Sequence, residues 1–217
     1  IIRCCVGINS DQSHGNTVRE NTVENCDCGI LLWYSDGNIV NGNILKYDYH
    51  GISISYSEDN TVGGNKLTRN SLGVYLWYCG DNTLRNNSFI SNTNQVYVTT
   101  GYINQWDGNY WSDHNPPDIY SGPYQNETGR DGIGDIPYII DGNNTDRYPL
   151  IYPYGYVPSP DLNGDGIIDI MDVVIAAVAF GTEPGNPEWN PIADLNNDGL
   201  TDIFDFMVVA AHFGESI

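Results

Sequence analysis

Along residues 4 to about 111 the apolar positions recur with one fixed step. Ile8, Ile30, Ile52, Val74 and Val96 fall 22 residues apart, and so do Val18, Val40, Val62 and Leu84, and Val23, Leu45, Leu67 and Phe89. Polar and glycine positions keep the same step: Gly7, Gly29, Gly51 and Gly73; Asn16, Asn38, Asn60 and Asn82; Asn21, Asn43, Asn65 and Asn87. Registers in phase over this period mean that each repeat covers the apolar face of the next. Within a repeat, apolar residues alternate, as in Gly51-Ile52-Ser53-Ile54, which is strand spacing, and no stretch carries a helical stripe. The pattern predicts short strands broken by Asn and Gly corners and stacked as a parallel β-helix. Four full rungs and a degenerate fifth are expected, about 4.8 Å apart. Gly and Asn are expected to supply left-handed backbone at the corners, and stacked Asn side chains to pair from rung to rung.

The outward strand positions are unusually aromatic. Leu31, Trp33, Tyr75, Trp77 and Tyr97 are expected to share one outer face, with Tyr34, Tyr56 and Tyr78 along its edge. An exposed aromatic face of that size marks a partner surface for glycan or protein, unless the C-terminal part of the chain covers it. No catalytic cluster stands out. Asp48 has Cys26 and Asn70 as its neighbours in the stack, and Asp59 and Asp81 read as solvated corner residues. Residues 102–151 leave the period. Their Asp, Gly and aromatic content reads as ordered loop that caps the last rung, whose strand edges and core must be covered. Asp131-Gly132-Ile133-Gly134-Asp135 reads as a turn, with a further calcium site as the weaker alternative.

Composition narrows the partners. The formal charge is −20, with 8 Lys plus Arg against 28 Asp plus Glu. Nucleic acid and anionic membranes are disfavoured, and calcium is favoured. No apolar run is long enough to span a membrane. The chain opens inside a repeat, so a processed or partial chain is expected. Five cysteines and the sequons at Asn86, Asn126 and Asn143 suggest an extracellular setting. Cys4 and Cys26 share one rung position and lie within disulfide reach, and Cys5 with Cys28 could form a second bridge. The alternatives are thiols filling the core, or a metal site, which the different rung positions of His14 and His50 disfavour.

The strongest chemical signal lies at the C-terminal end. Asp161, Asn163, Asp165, Asp169 and Asp172 stand at positions 1, 3, 5, 9 and 12 of a calcium loop, with Gly166 at the sharp turn and Ile167 giving its carbonyl. The pattern recurs 33 residues on, as Asp194, Asn196, Asp198, Leu200 (carbonyl), Asp202 and Asp205. Two Ca²⁺ ions are therefore expected. Ile168 should turn inward. Position 12 is Asp in both loops, not the Glu of a full EF-hand. Prolines rather than helices precede the loops, and one helix follows each, over 173–180 and 206–213, ending at Gly181 and Gly214.

Two resemblances follow from these motifs. The N-x-I/V-x-x-N-x-I/L rungs with G-I-x-I/L resemble the NosD-like repeats of the carbohydrate-binding and sugar-hydrolase β-helix group. Gly108-Asn109-Tyr110-Trp111-Ser112-Asp113, then Asp131 to Asp135 and Pro137-Tyr138, resembles the terminal block of archaeal members. Nothing here resembles a copper site. The doubled loop-helix resembles a dockerin, which implies a cohesin partner met by loop positions 10 and 11, here Ile170, Met171, Ile203 and Phe204. These are more apolar than in cellulosomal dockerins.

The resulting expectation is a mainly β chain, a right-handed parallel β-helix with 22-residue rungs over 1–151, capped by 102–151. A Pro-rich linker at 152–160 then leads to a small α, dockerin-like calcium domain at 161–217. Functionally it reads as a non-enzymatic, extracellular or cell-surface scaffold. It would be joined to a cohesin-like partner or to other copies, extending to a head-to-tail filament. A glycan-binding module using Trp33, Trp77 and Tyr75, or a fragment of a polysaccharide-active enzyme, are the alternatives.

Overall fold

The computed structural model describes residues 4–129, 131–156, 158–183, 186–196 and 199–217, with the backbone alone at Cys4 and Pro191. They divide into two compact units, 1–117 with 133–155, and 118–132 with 156–217.

The first unit is a parallel β-solenoid of about five turns. Each turn contributes one strand to each of three five-stranded parallel sheets. The first sheet holds Cys4–Asp11, Cys26–Trp33, His50–Ser55, Leu72–Trp77 and Asn94–Val98. The second runs from Thr17–Arg19 to Gln105–Asp107, and the third from Thr22–Glu24 to Tyr110–Trp111. The 22-residue registers are the strand pairings. Ile8, Ile30, Ile52, Val74 and Val96 stack in order. The second column runs from Val18 through Val40, Val62 and Leu84 to Trp106, and the third from Val23 through Leu45, Leu67 and Phe89 to Trp111. These columns fill one continuous core. Burying each Ile, Leu or Val in it is worth about 1.5–3 kcal/mol relative to exposure.

Glycine takes its expected corner role at Gly15, Gly37, Gly42, Gly64 and Gly108, while the role expected of the stacked asparagines is corrected. The stacked asparagines are not the left-handed residues. Positive φ falls on the residue just before each, at Gly15, Gly37, Asp59 and Asp81 and at Glu20, Gly42, Gly64, Asn86 and Gly108, and also on Gln12, Tyr34, Tyr56 and Tyr78 ahead of Ser13, Ser35, Ser57 and Cys79. The asparagines instead form buried ladders. Each Oδ1 accepts the backbone N–H of the asparagine one turn earlier, at 2.8–3.1 Å along Asn16, Asn38, Asn60, Asn82 and Asn104. The same bonds join Asn21, Asn43, Asn65, Asn87 and Asn109 at 2.9–3.0 Å. An amide can do this because its oxygen accepts while its nitrogen donates back to nearby carbonyls. Gly7, Gly29, Gly51 and Gly73 are also not there for positive φ. A Cβ at each would lie 2.5–2.7 Å from the carbonyl oxygen one turn on, so only a hydrogen fits.

Both ladders end on one hairpin of the cap. Asn144 Oδ1 accepts Asn104 N–H at 2.9 Å and the Trp106 indole N–H at 3.1 Å. Asp146 Oδ2 accepts Asn109 N–H at 2.9 Å and the Trp111 indole N–H at 3.1 Å. Tyr138 stacks on Trp111 at 4.1 Å, and Trp111 on Phe89 at 4.3 Å, which closes the end of the core.

Cys26, Cys28 and Cys79 fill the interior. Cys4 and Cys26 are Cα partners, but the Cys4 side chain lies outside the described residues, and the expected bridge with it. The second bridge does not form. Cys28 pairs in register with Val6, not Cys5; Cys5 is exposed, Cys28 buried, and both are free thiols. Strand alternation turns the two to opposite faces. Burial, and then the Asp48 carboxylate, push the Cys28 thiol up to about 12. Asp48 is a ladder member. Its Oδ1 accepts Cys26 N–H at 2.7 Å, and its own N–H donates to Asn70 Oδ1 at 2.9 Å.

In the second unit, helix α1 (Ile170–Ala179) and helix α2 (Ile203–Ala211) pack through Ala176, Ala179 and Val209 over Leu162, Ile168 and Leu195. Both helices begin three residues before the expected starts. Asp169 and Asp202 are the N-caps, and Asp172 and Asp205 complete capping boxes. The unit is doubled in its backbone bonds too. Gly214 N–H donates to Ile168 C=O at 2.7 Å, and Gly181 N–H donates to Thr201 C=O at 2.7 Å. Each loop thus holds the end of the other loop's helix.

Candidate metal centre and exposed faces

The first acidic loop is curled around Asp161. Its Oδ1 accepts Gly164 N–H at 2.9 Å and Asp165 N–H at 3.2 Å, and its Oδ2 accepts Gly166 N–H at 2.9 Å. Gly166 has φ +87, a turn closed to most side chains. Asn163 Oδ1 accepts Asp165 N–H at 2.8 Å, and Asp165 Oδ1 accepts Ile167 N–H at 2.9 Å. Asp169 Oδ1 caps α1 through Met171 N–H at 2.7 Å. Asp172 is buried and accepts Leu162, Asn163 and Asp169 N–H at 2.7, 3.1 and 2.7 Å. Burial pushes its carboxyl up, but these backbone bonds outweigh it and hold the group below its usual range. Ile168 is fully buried, as expected, and Ile167 is exposed.

The second loop repeats this. Asp194, itself buried, accepts Gly199 N–H at 2.9 Å, and Gly199 again has φ +87. Asp205 accepts Leu195, Asn196 and Asp202 N–H at 2.7, 3.1 and 2.8 Å, and Asp202 accepts Phe204 N–H at 2.7 Å. Leu200 is exposed. Asp198 lies outside the described residues.

The donor set is oxygen throughout, as a hard divalent cation requires. A further signal was available in the sequence: residues 156–217 carry eleven Asp and Glu and no Lys or Arg. Like charges at that density repel unless a cation offsets them. The carboxylates are here spread over loop N–H groups, and among the described residues no group of three or more His, Cys, Asp or Glu is gathered as a metal cluster. The Asp131–Asp135 turn is tied instead by buried Asp118, which accepts Asp131 and Gly132 N–H at 3.3 and 3.0 Å.

Because the helices start early, loop positions 10 and 11 lie in their first turns. Ile170, Met171, Ile203 and Phe204 are all more than half exposed. Val174 and Met207, four residues after Ile170 and Ile203, are exposed as well. Residues four apart share a helix face, so each helix presents an apolar stripe that extends beyond loop positions 10 and 11.

The second exposed face is on the first sheet of the solenoid. Leu31, Ser53, Tyr75 and Tyr97 stack as one outward column, and Trp33, Ser55 and Trp77 as another. Tyr75 lies near-parallel to Trp77 at 5.6 Å and 15°, and to Tyr97 at 5.4 Å and 23°. Tyr34, Tyr56 and Tyr78 stack at 5.0 and 5.6 Å. Trp33 and Tyr97 are exposed, while Leu31, Tyr75 and Trp77 are half-buried. Of the sequons, Asn126 and Asn143 are exposed, and Asn86 is half-buried.

Comparison with known proteins gives two matches. A family model described as periplasmic copper-binding protein (NosD) matches residues 1–116. A model for the dockerin type I domain matches residues 159–214. No curated protein and no solved structure matches the chain. Among the described residues, no helix is long and apolar enough to cross a membrane.

Proposed function

The chain belongs to the NosD family of β-helix proteins, and from that premise we propose that it is a calcium-dependent assembly protein whose work is joining rather than turnover. The solenoid is the rigid body. The dockerin-like unit is the plug, folded around two Ca²⁺ ions. Asp161, Asn163, Asp165, Asp169 and Asp172, with the Ile167 carbonyl, hold the first ion. Asp194, Asn196, Asp198, Asp202 and Asp205, with the Leu200 carbonyl, hold the second. The ions neutralise the loops and fix the helix starts. That presents Ile170, Met171, Val174, Ile203, Phe204 and Met207 to a cohesin-like domain or to a second copy, outside the cell or on its surface. The observation that carries this reading is the doubled loop-helix itself. Its two halves keep the same capping boxes, the same bonds to position 12 and the same apolar stripe.

The family description names copper, but among the described residues no group of three or more His, Cys, Asp or Glu is gathered to hold it. Calorimetric titration with CaCl₂ should find two sites. Sedimentation of the chain, alone and with a panel of recombinant cohesin domains, should show a complex in calcium that dissolves in excess chelator. Calcium binding without any complex would overturn the joining role, and no calcium binding would overturn the site.

A further inference from the structure

We propose that the outer face of the solenoid's first sheet is a binding platform for a neutral polysaccharide. The face comprises three columns that begin at Leu31, Trp33 and Tyr34. From there to Thr99 they hold eleven positions, none of them charged, in a chain of net charge −20. Seven of the eleven are Trp or Tyr, three are Ser or Thr, and Leu31 alone lacks a polar side-chain atom. Each large side chain thus pairs an apolar ring with a hydrogen-bonding rim. A sugar ring has the same division, with C–H faces and equatorial hydroxyls.

The contrast with the second unit decides between glycan and protein. On its two helices the exposed apolar side chains are Ile, Val, Met and Phe, which offer no hydrogen bond. That composition suits an apolar protein groove and would strand sugar hydroxyls without partners. The sheet face has the opposite composition.

Geometry adds to this. Tyr75, Trp77 and Tyr97 lie within 24° of parallel, with centroids 5.4–6.3 Å apart. Near-parallel rings at that spacing overlap as offset tiles. Ser53 and Ser55 sit sunken between their larger neighbours and are buried. The face continues into a shallow groove of about 510 Å³ lined by Tyr34, Tyr56, Gln12, His14 and Asp36. Polar side chains there stand beside stacked rings, as a sugar edge requires. The face is bordered by exposed Asp11, Asp36 and Glu58, which repel a uronate or sulfated chain. The occupant is therefore uncharged.

Affinity electrophoresis of the full chain tests this with a matched pair, neutral hydroxyethylcellulose and anionic carboxymethylcellulose, with galactomannan as a second neutral polymer. A neutral polymer should retard the protein, and carboxymethylcellulose should not. Trp77→Ala and Tyr97→Ala should each weaken the retardation about tenfold, with unchanged far-ultraviolet circular dichroism. Retardation should persist in chelator, which separates this face from the calcium-dependent plug. No retardation by either neutral polymer would overturn the proposal. So would equal retardation by the anionic one, or variants that bind as the parent does. Self-association lost in Trp77→Ala would assign the face to a second copy instead.

Discussion

Asn144 and Asp146 perform one task with two chemistries. Each ends an asparagine ladder, accepting a backbone N–H and an indole N–H. Asn144 does so as a neutral amide, Asp146 as a fully buried carboxyl. Burial pushes the Asp146 carboxyl above its usual value despite the bonds from Asn109, Trp111 and Tyr148 that pull it down. A folded-state pKa raised above the unfolded one gives stability that is present at low pH and lost as pH rises through the folded value. Asp146→Asn should therefore leave the solenoid's melting temperature at pH 7 equal or slightly higher. It should also remove a falling component of stability that the parent shows upward from about pH 4. Asp146→Ala strands Asn109 N–H, its amide and the Trp111 indole, and should lose about 2–4 kcal/mol. Thermal melts of the three proteins across pH check both, and a destabilised Asp146→Asn would reverse the argument. The ladders themselves were legible from Asn spacing. Their ends were not, because Asn144 and Asp146 lie 40 and 37 residues from Asn104 and Asn109, outside the period. The glycine column was legible as a position but not as a reason: the constraint is a carbonyl one turn away, which a single repeat does not contain.

At the level of elements, the two acidic loops hold each other's helices. Gly181, after α1, donates to Thr201 in the second loop, and Gly214, after α2, donates to Ile168 in the first. A lesion in one loop should therefore reach both helices. Asp205→Ala removes the buried acceptor of Leu195, Asn196 and Asp202 N–H, a loss of about 3 kcal/mol or more. Among the described residues the α-helices are α1 and α2, so the helical dichroism of the full chain reports on them. In saturating calcium, Asp205→Ala should lose nearly all of that signal. Retention of half would mean that α1 stands alone. The loops and helices could be read from the Asp and Gly spacing. The helices start three residues earlier than the apolar spacing predicts because Asp169 and Asp202 act as N-caps. An Asp three residues before another Asp is also a capping box, and it draws positions 10 to 12 into the first turn.

Across the whole molecule, the two units are stabilised by different physics. In the first, apolar columns and amide ladders run from turn to turn and end on Trp106, Trp111, Asn144 and Asp146, all within the unit. The second has a small core of mostly Ala, Leu and Val, and its residues 156–217 carry eleven acidic groups without a Lys or Arg. A core of that size is marginal without help, and repulsion among the carboxylates opposes it further. On the proposed function, bound calcium supplies the difference. At a hundredfold excess over Kd, each ion bound in this way would add about 2.7 kcal/mol to the folded state. In a unit of this size each kcal/mol moves the midpoint by about 4–8 °C. Scanning calorimetry of the full chain should then show one transition that calcium creates or raises by tens of degrees, and another that stays fixed between calcium and chelator. High salt in chelator should recover a small part of the shift by screening, and calcium all of it. A single transition that moves as a whole would show that calcium stabilises the solenoid too, and two fixed transitions would show that the acidic loops fold without a cation.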